Sequence, residues 1–138
     1  MHDDCVSLLV IDGDSMKSVN DAWGHAEGNR FLVELTETMR SSLRVPDVLA
    51  RFGGDEFVIV LPRTCTSDAL MVAERLRQAV ASRAFRTSWG EAIRATVSIG
   101  LASSPEDGGS ADELFRAADR ALYSAKQAGR NRVLCART

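Results

Sequence analysis

The sequence has no Cys-x-x-Cys. Its three cysteines, Cys5, Cys65 and Cys135, stand far apart, and an odd number at such spacing frames neither a disulfide scaffold nor a zinc site, so reduced, packed thiols are expected. There is no excess of one charge. With 17 Lys and Arg against 19 Asp and Glu the net charge is -2, which excludes a nucleic-acid binder that works by neutralising many phosphates; any phosphate site is local. No apolar run is longer than Phe57 to Leu61, whereas a bilayer needs roughly 20 such residues, so no membrane segment is expected. Met1-His2-Asp3-Asp4 puts acids where a secretory leader carries bases, and a cytoplasmic chain is expected. Repeats and low-complexity tracts are missing as well. What remains suits one core: 138 residues, 45% hydrophobic and 26% charged, read as a single domain over 1–138.

Ser7 to Ile11 is rich in Val, Leu and Ile and stops at Asp12-Gly13-Asp14, the pattern of a central strand ending in a polar loop. A short helical stretch around Val19 to Trp23 is interrupted by Gly24 and Gly28. Phe31, Leu32, Leu35, Met39 and Leu43 then recur at helical spacing up to Pro46. Val48 to Phe52 and Phe57 to Leu61 predict two strands joined by a hairpin at Gly53-Gly54-Asp55-Glu56, where glycines tolerate positive φ. Ser67 or Asp68 is the expected cap of a helix with Ala69, Ala73, Leu76 and Val80 on its apolar face. Trp89-Gly90 reads as a turn, Ala95 to Ala102 as a strand, and Ser110 with Glu113 as a capping box. The last helix buries Leu114, Ala118, Ala121, Leu122 and Ala125 and ends at Gly129, before a final strand at Arg132 to Cys135. Two strands joined by a tight turn require antiparallel pairing. The expected fold is therefore α+β, with helices on a mixed sheet.

Asp12 and Asp14 lie at a strand end, and Asp55 and Glu56 on a hairpin tip. Carboxylates converging in a polar loop suit magnesium, a hard cation that takes oxygen ligands and keeps positions for water and phosphate, and so they point to phosphoryl chemistry. Taken alone, Asp12 and Asp14 read sooner as solvated turn residues than as metal ligands.

Gly53-Gly54-Asp55-Glu56-Phe57 spells GGDEF, and the chain resembles the diguanylate cyclase family. Upstream, Asp12-x-Asp14-x-x-Lys17-x-x-Asn20-Asp21-x-x-Gly24-His25-x-x-Gly28 follows the family pattern. Downstream, so do Val97-Ser98-Ile99-Gly100 and Ala118-Asp119-x-Ala121-Leu122-Tyr123-x-Ala125-Lys126-x-x-Gly129-Arg130-Asn131. The resemblance implies a five-stranded, largely antiparallel sheet flanked by helices, related to the palm of nucleotide cyclases and polymerases, and condensation of two GTP into cyclic di-GMP and pyrophosphate. It implies that Asp12, Asp55 and the Gly13 carbonyl hold Mg2+, with Mn2+ as an alternative, and that Glu56 is a further catalytic acid. Lys126 and Arg130 match the triphosphate contacts, Lys17 with the backbone of Ser15 and Met16 a phosphate cradle, and Asn20 a guanine-edge contact. Two such domains meet face to face as a homodimer, and a sensor or receiver domain is expected elsewhere in a longer protein.

Two positions modify that expectation. Asn29 stands where most of the family has an aspartate, and an amide offers one acceptor oxygen where a carboxylate offers two, so guanine selectivity is expected to weaken. Arg44-Val45-Pro46-Asp47 is an Arg-x-x-Asp at the place of the family's inhibitory product site, with Arg75 as a further contributor. A second Arg-x-x-Asp at Arg116 to Asp119 shows that position, not pattern, carries this assignment. The alternatives are a non-enzymatic receptor for cyclic di-GMP or nucleotide, and a cyclase with relaxed purine choice.

Overall fold

The computed structural model describes residues 4–14 and 16–137, without the side chains of Met16 and Lys17. Of the expected phosphate cradle, Ser15 and the Lys17 side chain lie outside the described residues, and the Met16 backbone opens α1. The elements run β1 (Val6–Gly13), α1 (Met16–Trp23), α2 (His25–Arg40), β2 (Val48–Gly53), β3 (Glu56–Pro62), α3 (Thr66–Ser82), β4 (Phe85–Arg86), β5 (Ala92–Ile93), β6 (Val97–Ser104), α4 (Ala111–Gln127) and β7 (Val133–Cys135). The main sheet has the order β2-β3-β1-β6-β7. Its pairings are antiparallel except between β6 and β7, as the α+β expectation requires.

β1 lies at the centre and is covered on both faces, which explains its unbroken apolar run. Alternate residues point to opposite sides. Leu9 and Ile11 pack with Phe57, Ile59, Leu61, Ile99 and Leu101 against α2 and α3, whose Leu35, Met39, Ala73 and Leu76 are buried. Leu8 and Val10 pack with Ala102 against Leu114, Ala118 and Leu122 of α4. At Gly100 the two layers nearly touch: a Cβ there would lie 2.0 Å from the Ala118 carbonyl oxygen. Only glycine lets α4 settle onto β6.

Several sequence expectations are corrected in detail. Gly28 does not interrupt a helix; it is buried within α2, and the break falls at Gly24 alone, with φ of 90°. α3 begins at Thr66 behind Cys65, and neither Ser67 nor Asp68 caps it. Trp89-Gly90 does turn the chain, but within a two-stranded β4-β5 hairpin too short to show periodicity. The Ser110 capping box is present: its hydroxyl accepts from the Glu113 N–H at 3.2 Å, while the Glu113 carboxylate reaches back to the Gly109 N–H.

The expectation of reduced cysteines fails. Cys5 and Cys65 form a disulfide across 60 positions of sequence. The reason is register: Val6 pairs with Pro62, so the residues just beyond the two strand ends are neighbours, which spacing in the sequence does not disclose. Among the described residues no helix is long and apolar enough to cross a membrane.

Candidate functional site

β1 and the β2-β3 hairpin bring two acids together. Asp12 is opposite Glu56 in the antiparallel register, and the Gly13 N–H donates to the Asp55 carbonyl at 3.0 Å, tying the hairpin tip to the strand end. The tip turns through Gly54 at φ of 46°, a left-handed conformation that glycine adopts without a Cβ clash.

Asp12 is buried, at 8% exposure. Its Oδ2 accepts from the Lys126 ammonium, delivered by the last turn of α4, while its Oδ1 is buried with no hydrogen-bond partner. Burial, and then the negative charge of Asp12, raise the Asp55 carboxyl above its ordinary value. A buried oxygen without a donor, next to a second carboxyl disfavoured as an anion, fits a divalent cation, whose charge would satisfy both. Among the described residues no three His, Cys, Asp or Glu side chains converge as a metal group. The groups that could hold such an ion are the Asp12 and Asp55 carboxylates and the Gly13 carbonyl, a set small enough to leave positions for water and phosphate oxygens.

Asp14 does different work. Its Oδ2 accepts from the Thr96 hydroxyl at 2.7 Å and from the Asn131 N–H at 3.1 Å, and its Oδ1 from the Ser98 hydroxyl at 2.8 Å. Asp14 is therefore neither a solvated turn residue nor a partner in the acid pair. It fastens the end of β1 to the start of β6 and to the loop after α4. In that loop Arg130 and Asn131 have φ of 64° and 46°, and the Arg130 guanidinium lies 3.7 Å from Asp14. The sequence reading gave no such role to Asp14, Thr96, Ser98 or Asn131; the alternation of Thr96 and Ser98 on one face of the strand was the available signal.

Asn20 is half-buried in α1 and Asn29 exposed on α2; no contact joins either to the acid pair among the described residues. The start of α2 is held by Glu27, whose carboxylate accepts from the Ser88 hydroxyl at 2.6 Å and the Ser88 N–H at 2.9 Å. Those bonds keep its carboxyl below the ordinary value. With the Trp23 and Trp89 rings 6.2 Å apart, they seat the β4-β5 hairpin on the junction of α1 and α2.

Arg44 and Asp47 pair with each other at the far end of β3 from Asp55, roughly 20 Å along a seven-residue strand. Asp47 accepts from the Arg44 backbone N–H at 2.8 Å and from the guanidinium at 3.2 Å. Arg75 reaches the same segment, donating to the Ser42 carbonyl at 2.9 Å.

The family model described as "Diguanylate cyclase, GGDEF domain" matches residues 1–132. Diguanylate cyclase DgcM of Escherichia coli is 48% identical over 130 residues, which are 94% of this chain and 30% of that protein. Diguanylate cyclase A of Treponema denticola is 43% identical over 128 residues, 93% of this chain and 34% of its own. The chain thus spans about a third of the length of these curated relatives. Among solved structures, the GGDEF domain of YfiN (TpbB) from Pseudomonas aeruginosa superposes with a TM-score of 0.93 at 35% identity, covering 98% of this chain and 78% of that one. The GGDEF domain of DgcB from Caulobacter crescentus, in complex with c-di-GMP, superposes with a TM-score of 0.91 at 34% identity, covering 97% and 79%.

Proposed function

Because this chain belongs to the diguanylate cyclase GGDEF domain family, we propose that it condenses two GTP into cyclic di-GMP with release of pyrophosphate. The observation that carries this reading is the buried Asp12 oxygen without a donor, set beside an Asp55 whose carboxyl is raised by burial and by Asp12. Asp12, Asp55 and the Gly13 carbonyl would hold Mg2+, or Mn2+ in its place. Such an ion lowers the pKa of an attacking hydroxyl and neutralises charge on the phosphorus oxygens.

The remaining roles fall to this chain's own groups. Lys126, already drawn to Asp12, supplies a cation for the triphosphate, and Arg130 a second, from a loop that Asp14 fixes. Lys17 and the backbone N–H groups of Ser15 and Met16 cradle phosphate. Glu56, opposite Asp12, is the remaining acid at this edge. Asn20 binds the guanine edge.

One domain binds one nucleotide, so the attacking 3'-hydroxyl must come from a nucleotide on a second copy, and turnover requires a homodimer. The relatives' additional length agrees with a sensor or receiver domain that controls this pairing. Cyclic di-GMP bound at Arg44, Asp47 and Arg75 restrains the enzyme.

The test is to force the purified chain into dimers and supply Mg2+ with GTP, ATP or both. Cyclic di-GMP from GTP is expected, and none from the Asp55→Ala variant; undiminished product from that variant would defeat the metal assignment. No turnover with tight product binding would instead identify a receptor.

Asn29 favours a second reading. Losing one acceptor for guanine costs about 1–3 kcal/mol, enough to let another purine compete. A product containing adenine would establish that relaxed choice, and Asn29→Asp should then restore preference for GTP.

A further inference from the structure

The turn from β3 into α3 holds one oxygen atom with unusual firmness. Thr64 is 3% exposed. Its N–H donates to the Cys5 carbonyl at 3.1 Å, its carbonyl accepts from the Ser7 hydroxyl at 2.7 Å, and its own hydroxyl donates to the Pro62 carbonyl at 2.8 Å. On one side Cys65 is bonded to Cys5; on the other Arg63 is held at φ of 51°. A hydroxyl has a single hydrogen, and here it goes to Pro62, so the oxygen faces outward as an acceptor. The donor it meets is Arg44, whose Nη2 lies 2.8 Å away.

Arg44 is therefore held from two sides. Asp47 accepts from Nη2 at 3.2 Å and from Nε at 3.4 Å, and Nη2 also meets the Thr64 hydroxyl and, more distantly at 3.5 Å, the Pro62 carbonyl. Nη1 has no partner among the described residues, and the side chain is half-exposed. Nη1 can donate to an acceptor on a guanine edge, O6 or N7, and a guanidinium already held still loses less freedom on binding than a mobile one.

We propose that Thr64 is a positioning residue for cyclic di-GMP recognition: it fixes the plane of Arg44 so that Nη1 meets a guanine edge. The proposal rests on the reading of Arg44 and Asp47 as the product site and adds to it a residue outside the Arg-x-x-Asp pattern.

The experiment compares the dimerised chain with its Thr64→Val, Thr64→Ser and Arg44→Ala variants, by calorimetric binding of cyclic di-GMP and by initial rates of GTP turnover at negligible product. Thr64→Val should bind product about tenfold more weakly, the effect of removing one hydrogen bond to a charged group. Thr64→Ser, which retains the hydroxyl, should bind within about twofold of the parent, and initial rates should be equal in both. If Thr64→Val does not fold, Thr64→Ala removes the same acceptor and carries the test. Loss of binding in Arg44→Ala with parental affinity in the Thr64 variants overturns the positioning role alone. Parental affinity in Arg44→Ala overturns the product-site reading itself.

Discussion

Asp12 and Asp14 leave β1 two residues apart and serve opposite ends. Asp14 is saturated with three donors from two segments, whereas Asp12 keeps one buried oxygen with none. The sequence disclosed Asp12, Asp55 and Lys126 because the family pattern marks them, and the structure brings those three together. It did not disclose that Asp14 builds the loop of Arg130, since its partners lie more than 80 positions away. The acid pair has a pH signature. Asp55 titrates above its ordinary value of 3.8 in the folded chain, so over that window the unfolded chain has already lost the proton that the folded one keeps. Folding is then opposed progressively as pH rises. Without added metal, Asp55→Asn should melt at a higher temperature than the parent at pH 7, with the gap closing below pH 3.8. Added Mg2+ should raise the melting temperature of the parent more than that of the variant. A parental melting curve in the variant at both pH values would show that the two acids do not oppose each other.

At the scale of elements, the position of Lys126 depends on how closely α4 lies on β6. Gly100 sets that distance, because its Cα faces the Ala118 carbonyl and the Leu122 N–H, which a Cβ would approach to 2.0 and 2.4 Å. Both are backbone atoms, so relief requires moving the helix. Gly100→Ala should destabilise the chain by about 3 kcal/mol, at the upper end of the cost of overpacking. A lower urea midpoint at unchanged slope is the expected reading. Long elements were legible from periodicity: the apolar positions of α3 and α4 named from sequence are buried. The β4-β5 hairpin was not, because two-residue strands have no period to read, and what holds it is Glu27 on Ser88 and Trp23 beside Trp89. The start of α2 was placed late for a different reason: Gly28 looked like a breaker in sequence, yet it lies buried within the helix.

For the molecule as a whole, the disulfide is the feature that composition concealed most fully. It closes a loop of 60 positions, and in the chain-entropy account such a cross-link stabilises by about 4 kcal/mol, mainly by restricting the unfolded chain. Reduction with dithiothreitol, or Cys65→Ser, should therefore lower the melting temperature by roughly 10–15 °C. An unchanged midpoint after complete reduction would show that the bond contributes nothing to stability. Fold class followed from one local inference, the hairpin at Gly53-Gly54, together with the family pattern; the strand order β2-β3-β1-β6-β7 came only with the structure. The pairing of distant strand ends did not, since it arises only after the sheet has formed.

That β1 is first in order and central in position has a consequence for how the protein comes into being. Its two neighbours are β3 and β6, and Val6 meets Ser104 only after every element between them has been made. On a ribosome the strand bearing Asp12 emerges well before β6 and waits, apolar on both faces, for that partner still to be translated. Such non-local pairing is slow and exposes sticky intermediates. The nascent chain should accordingly depend on holding factors until α4 has left the exit tunnel, and a ribosome stalled before residue 97 should lack the β1-β6 half of the sheet.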